Sequence, residues 1–463
     1  MRLHWARIGV AFLFTLVAHF DCVGAHASSA LSPSALDQCP RWPTATTITL
    51  PMAIERALCI SPKTRGAWAT VRENLAALAA ARGAYWPTVN ATVDYSRDHV
   101  STTVISDPLL NSAFTKNVAT ATGSLSWLLF DFGTRSGTIE AARAQVLAGQ
   151  ATQAESVQTV FAAIAKDFFN AQVAFAKLDS TRQLEEAANR SLVAARARVD
   201  KGVAAITDQL QTETAYAQAE YERGKAENNV TQSLATLAID LELPPDERLN
   251  LRDIGAESLP GVDFESAVGI LVDTAVQEHT TVREAQAEVT AATAKVRATK
   301  GQGLPTLSAI GQVSYSTQPV AASLGEEEQP ARSRNNFVGL QVSVPLLEGF
   351  SRNDQIHEAE ANLAVKEENL REARQQVRGA VWSSWLTLQS SSANLRSTRD
   401  VSRIARAAFD AVEHRYELGV GSVLEVLASQ STLAQAEQQR IEAEFDWRNA
   451  RVQLAFNLGK LSP

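Results

Sequence analysis

The 463-residue chain predicts a mixed, mostly α fold with an internal duplication. It combines long coiled-coil helices with four strands per chain that contribute to a shared transmembrane β-barrel. Three observations carry this reading. Motifs recur in one order at a nearly constant offset: Arg198 with Arg415, Gly202-Val203 with Gly419-Val420, and Ala-Gln-Ala-Glu at 217–220 with the same four residues at 434–437. Apolar residues alternate with Ser, Thr and Asn in four short stretches, the period of a strand with one wet face. In two long stretches apolar residues return every seven positions, the seam of helices packed side by side.

The elements follow in order. Residues 1–27 read as a signal peptide: Arg2 and Arg7 supply the positive start, Ile8 to Phe20 is an apolar run too short to span a bilayer, and Ala25-His26-Ala27 fits a small-x-small cleavage site. Export places the chain in an oxidising compartment, and the two cysteines left after cleavage, Cys39 and Cys59, are expected to form a disulfide. The first repeat covers 28–242. Ala53 to Gly83 is one alanine-rich helical stretch, stopped before Pro87. Strands follow at 88–104 (Val89, Ala91, Val93, Tyr95 on one face) and 117–130 (Ala119, Ala121, Gly123, Leu125, Trp127, Leu129). A long helix over 133–200 carries Leu147, Ala154, Phe161, Phe168 and Phe175 as one heptad row and Val157, Ile164, Ala171 and Leu178 as a second. Gly202 permits the turn into a helix over 204–242.

Residues 243–262 form a linker, and 263–463 the second repeat. Its strands lie at 305–318 and 335–347, its long helix at 350–417 with Ile356, Leu363, Leu370 and Val377 on the seam, its turn at Gly419 and Gly421, and its last helix at 422–459. A 67-residue helix reaches about 100 Å at ~1.5 Å per residue, a length a single globular domain does not need.

Composition narrows the function. Net charge is −8 and no Lys/Arg cluster appears, which argues against a nucleic-acid partner. No later run of about 18 apolar residues excludes a bundle of membrane helices but not a barrel. The strand cores approach the ~10 residues that cross an outer membrane, their polar faces carry little charge, and Tyr85, Trp86, Trp127 and Phe130 sit near strand ends, where an interfacial belt falls. Four strands cannot close a barrel, and open edges are not tolerated in lipid. Several copies must therefore share one barrel, and three leave a wet lumen. No nucleophile elbow, phosphate loop or HExxH is present, so neither an enzyme nor a cofactor or metal site is expected.

Together these features resemble the TolC family of outer-membrane channel proteins. The resemblance rests on Ala84-Tyr85-Trp86-Pro87-Thr88 and Leu129-Phe130-Asp131-Phe132-Gly133 at the first junctions, and Val344-Pro345-Leu346-Leu347-Glu348-Gly349 at the second. Val203-Ala204-Ala205-Ile206-Thr207-Asp208 and Arg415-Tyr416-Glu417-Leu418-Gly419 mark the hairpins. It implies a homotrimer in the outer membrane of a Gram-negative bacterium, with a periplasmic α-barrel girdled by a belt made from the chain ends and residues 240–265. Its implied partners are outer-membrane lipid, a periplasmic adaptor (membrane fusion) protein and an inner-membrane ABC or proton-driven transporter. Residues 57–68 look like the type I secretion branch.

The resemblance also implies a gate at the helical tips. Tyr416 matches the gate tyrosine, Asp208 its acidic partner, and Glu425 one of two acidic positions at the constriction; the second is Ala428, and the gate arginine is replaced by Gly421. Read from the residues alone, Asp208 and Glu425 are equally solvated acids on a helix face, and Tyr416 is a packed interhelical aromatic. A periplasmic coiled-coil adaptor or scaffold is the alternative function; it explains the hairpins but leaves the strands without a purpose.

Overall fold

The computed structural model describes residues 47–103, 105–106, 112–247, 249–251, 268–317, 329 and 331–461. The signal peptide, its cleavage site, Cys39 and most of the 243–262 linker lie outside these residues.

The first helical stretch is two helices, α1 (Leu50–Ile60) and α2 (Pro62–Gly83), rather than the single helix expected. The cause is Pro62, which pushes Ser61 out of the helical region to φ −52°, ψ 128°. Pro62 then opens α2 at a position where its missing N–H costs nothing. The Thr64 hydroxyl donates to the Leu58 and Ser61 carbonyls (2.9 Å each) and fixes the corner. Cys59, near the end of α1, is disulfide-bonded to a cysteine outside the described residues.

β1 (Thr88–Thr102) and β2 (Ser112–Phe130) lead into α3 (Thr134–Asp200), which turns back into α4 (Ile206–Asp240). The second half repeats the order with α5 (Val268–Glu278), α6 (Thr280–Gln302), β3 (Thr306–Thr317), β4 (Arg332–Ser343), α7 (Ser351–Glu417) and α8 (Val423–Asn457). The break between α5 and α6 falls at His279, the counterpart of Ser61, without a proline. His279 takes an extended backbone (ψ 138°), and its Nδ1 accepts the Thr281 amide at 3.3 Å as an N-cap. The ring is buried, and that burial holds its pKa below the ordinary 6.5, against the pull of Glu155 and a bond to the Phe456 backbone.

The strands form one antiparallel sheet in the order β1-β2-β3-β4. β2 starts earlier than expected because its ladder with β1 runs out to Thr102↔Ser112. β4 stops at Ser343, short of Pro345, which has no N–H to donate. The register Val89↔Leu125↔Gly311↔Val338 sets every apolar row on one face. That face is bare in the isolated chain: Val93 is 82% exposed and Val338 89%. The other face is polar and tied across strands, with Thr120–Ser316 at 3.2 Å and Thr122–Ser314 at 3.3 Å. Ile310, with Val118, Leu128 and Phe337, is an apolar exception on it.

α3 and α7 are 67 residues each, and α4 and α8 are 35. α4 runs back along α3 and α8 along α7, while α2 and α6 pack on α3, and α6 also on α7. The heptad reading is half covered within one chain. Phe161, Ile164, Phe168, Ala171 and Leu178 are buried, whereas Leu147 and Phe175 stay open. The buried middle of α3 meets Ile48, Ile54, Leu237, Leu241, Leu249, Val452 and Leu461 in one cluster, so both ends of the described chain wrap the same level. The Ile48↔Leu251 parallel bridge, with the Ile48 amide donating to Asn250 O at 2.7 Å, belongs to this belt.

Candidate functional site

The tips of the two hairpins are built by the same backbone rule. At the end of α3, Gly202 sits at φ 72°, its amide donates to Val199 O (2.8 Å), and the Val203 amide donates to Arg198 O (2.9 Å). At the end of α7, Gly419 sits at φ 83°, with Gly419 N to Tyr416 O (2.9 Å) and Val420 N to Arg415 O (3.0 Å). Both are Schellman ends, where a left-handed glycine lets the last carbonyls find donors. Gly421 is different. It is not among the residues of positive φ, and a Cβ there would stand 3.0 Å from the Tyr416 amide nitrogen and 3.2 Å from its Cα. It is needed for close approach rather than for the turn.

Asp208 and Glu425 are the same position in the two repeats, each in the first turn of its helix. An acid there meets the positive end of the helix dipole. Glu425 also continues a capping pattern: its amide donates to Ser422 Oγ at 3.2 Å. The Glu425 side chain is exposed, and its carboxylate makes no hydrogen bond or ion pair among the described residues. Asp208 lies nearer the other predicted residue, close enough for its charge to act on Tyr416.

Tyr416 is 3% exposed, packed among Ala187, Ala405, Phe409, Val423 and Val426. Burial pushes the phenol above its ordinary 10.0; Arg198 pulls it down, and Asp208 pushes it up again. The hydroxyl is enclosed and has no hydrogen-bond partner among the described residues. The residue that grips Tyr416 is Arg198. Its guanidinium lies 4.9 Å from the ring centroid, and Nη1 donates to the Tyr416 carbonyl at 3.2 Å. Further contacts tie α3 to the second hairpin: towards the tip Arg190 to Glu413 at 3.1 Å and Gln430 Nε2 to Leu184 O at 3.1 Å, and farther from it Lys177 to Glu442 at 2.8 Å and Arg448 Nη1 to Gln172 Oε1 at 2.9 Å. Sequence reasoning picked out Arg198 only as the repeat mate of Arg415. Pairing it with a tyrosine on another helix needs the tertiary fold.

The strand-to-helix junctions are the second shared device. Phe132 and Gly133, then Gly349 and Phe350, all adopt positive φ. An acid precedes each pair and an arginine follows it. Arg135 Nε is 3.0 Å from Asp131 Oδ2, both side chains under 10% exposed, and the guanidinium also donates to Leu128 O and Leu129 O. It lies 4.4 Å from the Tyr85 ring centroid. Arg352 holds Glu348 through Nε (2.8 Å) and Nη2 (2.9 Å) in a far more open setting.

A sheet with a bare apolar face, a wet opposite face and two unpaired edges, set on helices about 100 Å long, defines a subunit of an envelope-spanning channel. Among the described residues no helix is long and apolar enough to cross a membrane. Comparison with known proteins gives the family. A model described as "Outer membrane efflux protein" matches residues 53–239 and 271–460, one match in each half. Protein CyaE of Bordetella pertussis is 29% identical over 410 residues, covering 88% of this chain and 83% of that protein. Outer membrane protein TolC of Escherichia coli is 24% identical over 310 residues, 66% of this chain and 62% of that protein. The crystal structure of the outer membrane protein VceC from Vibrio cholerae superposes with a TM-score of 0.73 at 18% identity, over 89% of this chain and 96% of that one. The chain belongs to the outer membrane efflux protein family. It is a passive exit duct of the outer membrane with a large helical periplasmic portion, and not an enzyme. The alternative of an adaptor or scaffold falls with that membership.

Proposed function

We propose that three copies close a single barrel, β4 of each pairing with β1 of the next, and that their helices continue it as a periplasmic tunnel. The observation that carries this is the sheet itself: four strands in order, both edges unpaired among the described residues, and the apolar rows gathered on one face next to the helices, giving way to Arg97, Asn117, Arg334 and Asn336 towards the far end. In lipid each unsatisfied backbone group costs several kcal/mol, so the edges require partners. Identical chains supply them by rotation, each β1 edge meeting a β4 edge. The open heptad row at Leu147 and Phe175 gives the helices a matching reason to pack on neighbours.

The duct takes cargo from an inner-membrane ABC or proton-driven transporter through a periplasmic adaptor docked at the hairpin tips. Asp208, Tyr416 and Glu425 line the gate there, and one carboxylate ring from Glu425 favours cations. Similarity to CyaE over most of the chain, with the character of residues 57–68, supports type I secretion as the system served. The disulfide of Cys59 is made with Cys39, because Cys22 leaves with the signal peptide. In planar bilayers the purified protein is expected to be a detergent-stable trimer that conducts ions. A monomer without conductance overturns the proposal.

A further inference from the structure

Opening the tips means moving hairpin α7/α8 away from α3, and near the tips few polar contacts cross that boundary. Arg198 makes the one nearest the tip, and it makes it three ways. Its guanidinium covers the Tyr416 ring face. It donates to the Tyr416 carbonyl, in the last turn of α7. It also places a cation at the negative end of the α7 dipole. The repeat mate Arg415 is exposed on α7, so the duplication kept both arginines and turned only one inward. The tyrosine hydroxyl is buried without a well-formed hydrogen bond, although the same guanidinium lies near enough to pull its pKa down. The position matching a gate arginine is Gly421, so the turn of the second hairpin has no arginine there to reach across.

We infer that Arg198 is the positioning residue that holds the second hairpin closed against the first, clamping Tyr416 by its ring face and backbone carbonyl rather than by its hydroxyl. Arg190, two turns further up α3 and paired with Glu413, is the second hold of the same seam. The inference rests on the reading of these tips as the channel's aperture. It departs from a hydroxyl-centred or purely ionic latch in a way that can be measured. An ionic latch is lost with charge alone, and a hydroxyl latch is lost in phenylalanine. This clamp survives Tyr416→Phe and fails without the guanidinium.

The experiment compares Arg198→Ala, Arg198→Lys, Tyr416→Phe and wild type as purified full-length protein, each checked for an intact oligomer on an unheated gel. Single-channel conductance is expected to rise severalfold in Arg198→Ala and less in Arg198→Lys, whose ammonium keeps the charge but loses the planar stack. Tyr416→Phe stays at the wild-type value. Hydrogen exchange of the amides from Leu418 to Val423 in detergent is expected to speed up in Arg198→Ala and not in Tyr416→Phe; it reads the clamp even without conduction. The clamp is overturned if Arg198→Ala leaves exchange unchanged, if its conductance stays at or below that of a wild type that conducts, or if Tyr416→Phe opens the channel as far. A wild type that never conducts, with exchange behaving as stated, overturns the channel reading and keeps the clamp.

Discussion

The acid–arginine pairs at the two strand-to-helix junctions hold the same place in each repeat, yet they differ in what surrounds them. Asp131 and Arg135 are sealed beneath Tyr85 and the end of β2, with the guanidinium also spent on backbone carbonyls. Glu348 and Arg352 form a two-pronged pair in the open, helped by Gln302 and Gln355. The backbone needs the same left-handed step at both places, so duplication preserved it. The side chains answered to different neighbours. The first junction has become part of the packing, while the second is a surface clip.

Removing one acid at a time gives the sharpest contrast. Asp131→Ala leaves a buried guanidinium without its counter-ion and is expected to cost about 3–5 kcal/mol, read as a shift of the urea midpoint of the detergent-solubilised protein. Glu348→Ala is expected to shift it far less, because water screens what remains. Equal losses would break the contrast.

A smaller effect separates the two helix breaks. Ser61-Pro62 has nothing to titrate, whereas His279 must stay neutral for Nδ1 to cap α6. The folded-state pKa of His279 lies below the ordinary 6.5, so the folded protein binds fewer protons there than the unfolded one. Its contribution is full above pH 6.5 and falls away as the medium acidifies. Asp167, pushed to about 6 by burial and by Asp240, works in the opposite direction, becoming less unfavourable as pH falls. The measurement is therefore a difference: melting of wild type against His279→Gln at pH 7.5 and 5.5. The gap is expected to change against wild type on acidification, and a constant gap would remove His279 as the cause.

The smallest effect distinguishes Asp208 from Glu425, equivalent in the repeat but set apart by exposure. Glu425→Ala is expected to lower cation preference in bilayers by a few-fold, while Asp208→Ala, acting beside Tyr416, changes selectivity less. Identical selectivity of wild type and Glu425→Ala would take Glu425 off the aperture.

Much of this fold is written locally. Alternation gave the strands, heptads the long helices, and Gly202 and Gly419 the hairpin ends, because each depends on residues a few positions apart. The break at Ser61 was also within reach, since Pro62 stands in the sequence; the alanine-rich run on either side concealed it. His279 carries no such mark, because its cap depends on where the end of α8 comes to lie. Arg198 and Gly421 were equally hidden. One acts on a ring borne by a different helix, and the other matters through a Cβ it does not have.

The unpaired edges of the sheet have a consequence for inheritance. A chain whose β1 or β4 cannot pair does not merely fail alone; it interrupts every ring it joins. If sound and edge-defective copies are made equally and mix at random, about one ring in eight holds three sound chains. Defects in the helix tips leave the ring closed and alter only its aperture. Edge variants are therefore expected to behave as dominant, in a protein whose other losses would be masked by a good copy.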